Sequence, residues 1–155
     1  KVLKITDINS GTYLLEIFAS EPFRVEIENF KEKIFPPGYY YYSGSAQKNL
    51  GQRVERHQLE TKNIHWHIDH LTSIPTNKIK AVFLFENANK NFECEVIREL
   101  TENFKLRIAA KGFGNTDCRR CQSHLVYCKQ KMTHSHFISR YQSTVRLMPS
   151  SSDTV

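Results

Sequence analysis

Residues 36–46 read Pro36-Pro37-Gly38-Tyr39-Tyr40-Tyr41-Tyr42-Ser43-Gly44-Ser45-Ala46. Two prolines cannot donate to a ladder, so Pro36-Pro37-Gly38 marks a turn. The four tyrosines that follow have the aromatic content of a strand, which Gly44 and Ser45 are expected to end. Upstream, Gly11 to Phe18 (GTYLLEIF) is rich in β-formers, and Phe23 to Ile27 (FRVEI) alternates apolar with polar residues. Both read as strands, so an antiparallel meander is expected. Downstream, Asn49 to Leu59 carries Leu50, Val54 and His57 at helical spacing, with Arg53 near the start. Ile64 to Leu71 (IHWHIDHL) fits either a strand or a helix. Lys80 to Glu86 reads as a buried strand. Glu93 to Leu106 reads as an amphipathic helix with Cys94, Ile97 and Leu100 inward, followed by a loop opened by Gly112 and Gly114. The expected class is α/β (α+β): a small, mainly antiparallel central sheet flanked by helices. Residues 1–147 are expected to form one domain, and the Ser-rich stretch 148–155 a disordered tail.

At 155 residues and 39% hydrophobic content, the chain can bury one core. Lys and Arg total 22 against 16 Asp and Glu, a net charge of +6 that favours a polyanionic partner such as nucleic acid. No window approaches the roughly 18 apolar residues of a membrane span, and residues 1–10 lack the apolar stretch of a signal peptide. The expected location is the cytoplasm, with no membrane partner.

Gly11-Thr12-Tyr13 on one strand, Tyr42-Ser43-Gly44 on another, and Arg53 on the next helix together resemble the signature of GIY-YIG nucleases. The segments GTYLLEI, PPGYYYYSGSA, RVERH, HWHIDHL, FECE and GFGNTDCRRCQSHL, in this order over about residues 10 to 128, further resemble a GIY-YIG-like family found in microbes. Some members of that family are joined to an endonuclease III type DNA glycosylase. The resemblance implies a metal-dependent endonuclease acting on DNA rather than RNA, with a DNA-repair glycosylase as a partner. It implies Tyr13 and Tyr42 as residues that activate a water, Arg53 as the phosphate contact and Glu93, with Glu95 as the alternative by register, as the ligand of Mg2+ or Mn2+. Gly11 and Gly44 complete the motif. His57, one turn after Arg53, could orient a phosphate or relay a proton, or could lie on a solvated helix face. An unperturbed tyrosine, with a pKa of about 10, is a poor base, so nearby positive charge is expected to depress it. The FRVEI segment is expected to lengthen the path between the two tyrosines by one strand.

Cys118-Arg119-Arg120-Cys121, followed by His124 and Cys128, offers three thiols and an imidazole suited to tetrahedral Zn2+, with Cys94 as a replacement ligand. The bland alternative is a set of small buried side chains. If 64–71 is a strand, His65, His67 and Asp69 share one face and could bind a metal or phosphate, or form a structural polar network, with Trp66 and Ile68 toward the core. Besides the nuclease, two readings stay open: a catalytically inactive module that binds nucleic acid, and a structural zinc protein.

Overall fold

A computed structural model of the protein describes residues 8–59, 61–115 and 120–141, and the backbone of 145–149. Four consecutive tyrosines are accommodated where a strand is covered on both faces. Strand β1 (Gly11–Ala19) pairs on one side with β2 (Gly38–Ala46) and on the other with β3 (Asn77–Glu86), all antiparallel. Strands β4 (Arg107–Ile108) and β5 (Leu125–Cys128) extend the sheet beyond β2, and β6 (Val145–Pro149) extends it beyond β3. The order is β4-β5-β2-β1-β3-β6, and every pairing is antiparallel.

Alternation along the strands divides the core in two. Tyr13, Leu15, Ile17, Tyr40 and Tyr42 pack in one cluster with Leu50 and Val54 of α1 (Leu50–His57) and Ile68 and Leu71 of α2 (His67–Thr72). Leu14, Tyr41, Phe83 and Phe85 pack on the other face with Val96, Ile97 and Leu100 of α3 (Phe92–Glu102) and Phe137 of α4 (His134–Tyr141). A central strand covered on both faces shows an almost unbroken buried run, and β1 does so. Polar groups on the second face find partners: the Tyr41 hydroxyl donates to the fully buried Glu16 carboxylate at 2.7 Å, and His134 Nε2 lies 2.7 Å from the same oxygen, tying α4 to the sheet.

Several local expectations are corrected. Phe23–Ile27 is not a ladder strand. Phe23 forms one isolated antiparallel bridge with Phe35, and the ladder does not extend to 24–27 because the chain turns at once through a 3-10 helix (Glu28–Phe30), in which the Phe30 N–H donates to the Ile27 carbonyl and the Lys33 N–H to the Phe30 carbonyl. Tyr13 and Tyr42 therefore lie on strands that pair directly, with Tyr42 opposite Leu15 and Gly44 opposite Tyr13. Strand β2 does not end at Gly44 but runs to Ala46, because β1 continues to pair with it. The ambiguous 64–71 segment is extended through Trp66 and then helical from His67. Met148 and Pro149, assigned to a tail, belong to β6 and pair with Val82 and Ala81. Residues 150–155 lie outside the described residues.

β5 accompanies β2 only as far as Tyr42↔Leu125, while β1 stays paired with β2 to Ala46. The last residues of β2 thus form an edge at which elements from both faces meet.

Candidate functional site

That edge borders a cleft of about 280 Å³ whose walls include Tyr13, Tyr42, Arg53, Trp66 and Glu93. Two glycines make room for its tyrosines. A Cβ on Gly44 would lie 2.5 Å from the Tyr13 ring and hydroxyl, and one on Gly114, where φ is +76°, would lie 2.7 Å from the Tyr42 ring. The two tyrosine rings sit 6.4 Å apart. Gly11 starts β1 opposite Glu86 and Ala46 and contributes to strand geometry rather than to the cleft wall.

The Tyr13 hydroxyl lies 2.8 Å from His57 Nε2, and both side chains are buried. The ring of His57 turns inward because it occupies the apolar face of α1 with Leu50 and Val54, so the solvated-face alternative does not apply. Burial lowers its pKa to about 3, Asp69 opposing that shift and Lys62, Arg56 and Arg53 adding to it. The imidazole is therefore neutral, and Nε2 is the ring nitrogen in contact with the Tyr13 hydroxyl. Its Nδ1 faces the Asp69 carboxylate at 3.8 Å. Burial would raise the Asp69 pKa, but hydrogen bonds from Arg56 and from the backbone N–H groups of Trp66 and His65 outweigh it and hold the carboxyl below its usual range. Arg56 grips both Asp69 oxygens at 3.0 Å.

Burial raises the pKa of both tyrosines; each is raised further by the other or by Glu93 and Asp69, and Arg53 only partly offsets this. This corrects the expectation that the site depresses a tyrosine pKa: desolvation exceeds the attraction of Arg53. Arg53 donates to the Ser45 carbonyl at 2.8 Å, one of its five N–H donors. The Glu93 carboxylate accepts from Ser45 Oγ at 3.1 Å, and the Glu93 carbonyl accepts from Ser43 Oγ at 2.8 Å, so the end of β2 anchors the start of α3. Burial raises the Glu93 pKa, with Ser45, Lys90 and Arg53 acting against it. Glu95, the alternative by register, lines a different surface depression with Glu99 and Arg140.

A second cluster adjoins the first. Cys94, Cys121 and His124 bring one ligand atom each within 4.8 Å of one another and could hold a metal ion. Cys94 and Cys121 sulfurs are 2.9 Å apart, and Cys94 Sγ is 3.6 Å from His124 Nε2. His124 Nδ1 points the other way, 4.0 Å from the Glu93 carboxylate. Burial lowers the His124 pKa to about 4, which leaves the neutral imidazole a ligand requires. Cys128 does not join this group. It lies on β5, pairs opposite Tyr39 and donates its S–H to the Gln130 carbonyl at 2.7 Å. Cys118 lies outside the described residues.

The match to a family model now adds to this geometry: residues 12–147 match the model described as Domain of unknown function DUF123. The chain belongs to the DUF123 family. The matched span contains both clusters. No curated protein and no solved structure matches the chain.

In this DUF123 domain His65, His67 and Asp69 do not form a common ligand face. Asp69 turns back to cap α2, accepting from the backbone N–H groups of His65 at 2.8 Å and Trp66 at 3.0 Å, and His67 Nδ1 accepts from the Gly114 N–H at 3.0 Å. A strand at 64–71 would turn Trp66 toward the core, and no motif assigns a role to Ser45, Lys90 or Asn115, yet all four line the cleft. The capping pattern was a usable signal, since an acidic residue three positions after Trp66 is the spacing of a helix start. Among the described residues, no helix is long and apolar enough to cross a membrane.

Proposed function

We propose that this domain is a metal-dependent endonuclease of the GIY-YIG type that hydrolyses phosphodiester bonds in DNA. The observation that carries this reading is the convergence of Tyr13, Tyr42, Arg53 and Glu93 on one cleft, with His57 hydrogen-bonded behind Tyr13. Burial prevents Tyr13 from ionising alone, so the proton path is concerted. An attacking water gives its proton to Tyr13 Oη as the phenol proton passes to His57 Nε2, and the Asp69 carboxylate stabilises the imidazolium. The water oxygen forms the new bond to phosphorus, the bond to the leaving oxygen breaks, and solvent protonates that oxygen. Arg53 offsets the charge that develops on the phosphate.

Glu93 suits Mg2+ or Mn2+, because it lines the cleft together with Tyr13, Tyr42, Ser45 and Arg53, and a hard cation takes one or two carboxylates with substrate oxygens. Bound there, the ion would act as a Lewis acid on the phosphate. The test is cleavage of labelled duplex, single-stranded, flap and branched DNAs with magnesium or manganese, comparing the parent with Arg53→Ala. Metal-dependent cutting is expected, with the variant about 10- to 100-fold slower, the range for losing a charge-assisted hydrogen bond. Equal cutting by the two proteins would exclude the role of Arg53.

The strong protonation of buried Tyr13 favours a second reading, an inactive module that holds nucleic acid in the same basic cleft. It requires salt-sensitive DNA binding that persists in chelator, with no product under any metal.

The Cys94, Cys121 and His124 cluster is assigned to zinc. Two thiolates and an imidazole suit that ion, and a carboxylate facing the second ring nitrogen is the usual support of a zinc-bound histidine. Protein prepared without chelator should carry about one equivalent of zinc. Cys94→Ser should remove most of it and lower the unfolding temperature. Metal analysis that finds no zinc would refute the assignment.

A further inference from the structure

Trp66 is the single tryptophan of the chain, and it is 39% exposed at the mouth of the cleft. Of the four large exposed hydrophobic residues among those described, Leu59, Ile64 and Trp66 fall within the eight positions that lead into α2, and Trp66 is the one on the cleft wall. Its backbone is fixed, because its N–H is held by the buried Asp69 carboxylate. Its ring is fixed as well: the guanidinium of Arg53 lies 4.8 Å from the ring centroid and that of Arg56 lies 4.9 Å away. Arg56 is itself anchored on Asp69, and Arg53 on the Ser45 carbonyl. Both guanidiniums lie over the ring, and the part of the indole that stays exposed is an immobilised aromatic surface next to cations, which is what an unstacked base next to a phosphate requires.

The geometry points to Trp66 as a stacking platform for an unpaired nucleobase adjacent to the phosphate held by Arg53, so that the domain selects DNA that is single-stranded or unpaired at the site of attack. This rests on the reading of the cleft as a DNA site. In a continuous duplex the faces of each base are covered by its neighbours, and only edges are presented in the grooves. An indole face can therefore be used only by a base outside the stack. The floor of the cleft argues the same way. Tyr13 and Tyr42 are 3% and 6% exposed, so a phosphate must enter the cleft to reach them, and a single strand can bend to do so where a paired one resists.

Trp66 reports on its own contact. Binding of a short oligothymidylate, a blunt duplex of equal length and a duplex with one unpaired nucleotide would be followed in chelator, by intrinsic fluorescence and by anisotropy of labelled DNA. We expect quenching of Trp66 by the oligothymidylate and by the duplex with the unpaired nucleotide, and little by the blunt duplex. Trp66→Ala should weaken binding of the first two about tenfold or more while changing the blunt duplex by less than about twofold, and Trp66→Phe should retain most of the affinity. Equal binding of all three DNAs, without quenching and without an effect of Trp66→Ala, would overturn the stacking role and leave the DNA site standing. Failure of every DNA to bind at low salt would overturn both.

Discussion

Replacing Tyr13 with phenylalanine should slow DNA cleavage about 10²- to 10⁴-fold, the usual contribution of a positioned proton acceptor, and change DNA affinity by less than about twofold. The substitution removes one oxygen, the atom 2.8 Å from His57 Nε2. That oxygen is the proposed acceptor of the water proton, and burial holds its own proton so firmly that only a partner in contact can take it. Phenylalanine keeps the ring packed over Gly44 and leaves Arg53 and Glu93 in place, so binding should survive where turnover does not. His57 Nε2 loses its partner inside the core, which should also cost about 1–3 kcal/mol of stability. A Tyr13→Phe protein that cuts at the parent rate would eliminate the proton path through His57.

Acid should destabilise the fold before its carboxylates titrate. His57 is lowered from the usual 6.5 to about 3, chiefly by burial. Between those values the unfolded chain binds a proton at this residue and the folded chain does not, so the stability it contributes is fully present above pH 6.5 and is lost as pH falls toward 3. The loss should be about 2 kcal/mol between pH 6.5 and 5, and on the order of 4 kcal/mol by pH 3. The groups facing His57 are Tyr13, Asp69, Lys62, Arg56 and Arg53; Asp69 alone works against the shift. Denaturant unfolding across this range should show a flatter profile for His57→Gln than for the parent. Parallel profiles would mean that His57 does not remain neutral in the fold. Because the imidazole stays neutral to low pH, the cleavage rate should show no acidic limb from His57 above about pH 5.

Much of the architecture was legible locally. Runs rich in β-formers and aromatic residues located β1, β2 and β3, and helical spacing located α1 and α3, because a strand covered on both faces is a short apolar run and a helix buries one face at its own repeat. Phe23–Ile27 alternates apolar with polar residues and is not a strand, since a ladder also needs an extended partner and the residues that would pair with it are taken up by the turn around the 3-10 helix Glu28–Phe30. The site was legible by residue type but less so by grouping. Tyr13, Tyr42, Arg53 and Glu93 do line one cleft. Among the described residues, the metal-capable cluster takes Cys94 from α3 and excludes Cys128, although Cys128 is nearer to His124 in the chain.

The sequence by itself thus determined the strands of the sheet centre, the faces of the longer helices and the chemical inventory of the cleft, all properties of short-range pattern. Only the tertiary structure decided which members of that inventory meet. Tyr13 reaches His57 across 44 positions and Cys94 reaches His124 across 30. Such contacts depend on where β5 stops beside β2 and how α1 and α3 close over the exposed edge, and no local periodicity encodes those distances. Burial, the quantity that shifts His57 down and Tyr13 up, likewise exists only once both layers are packed on the sheet.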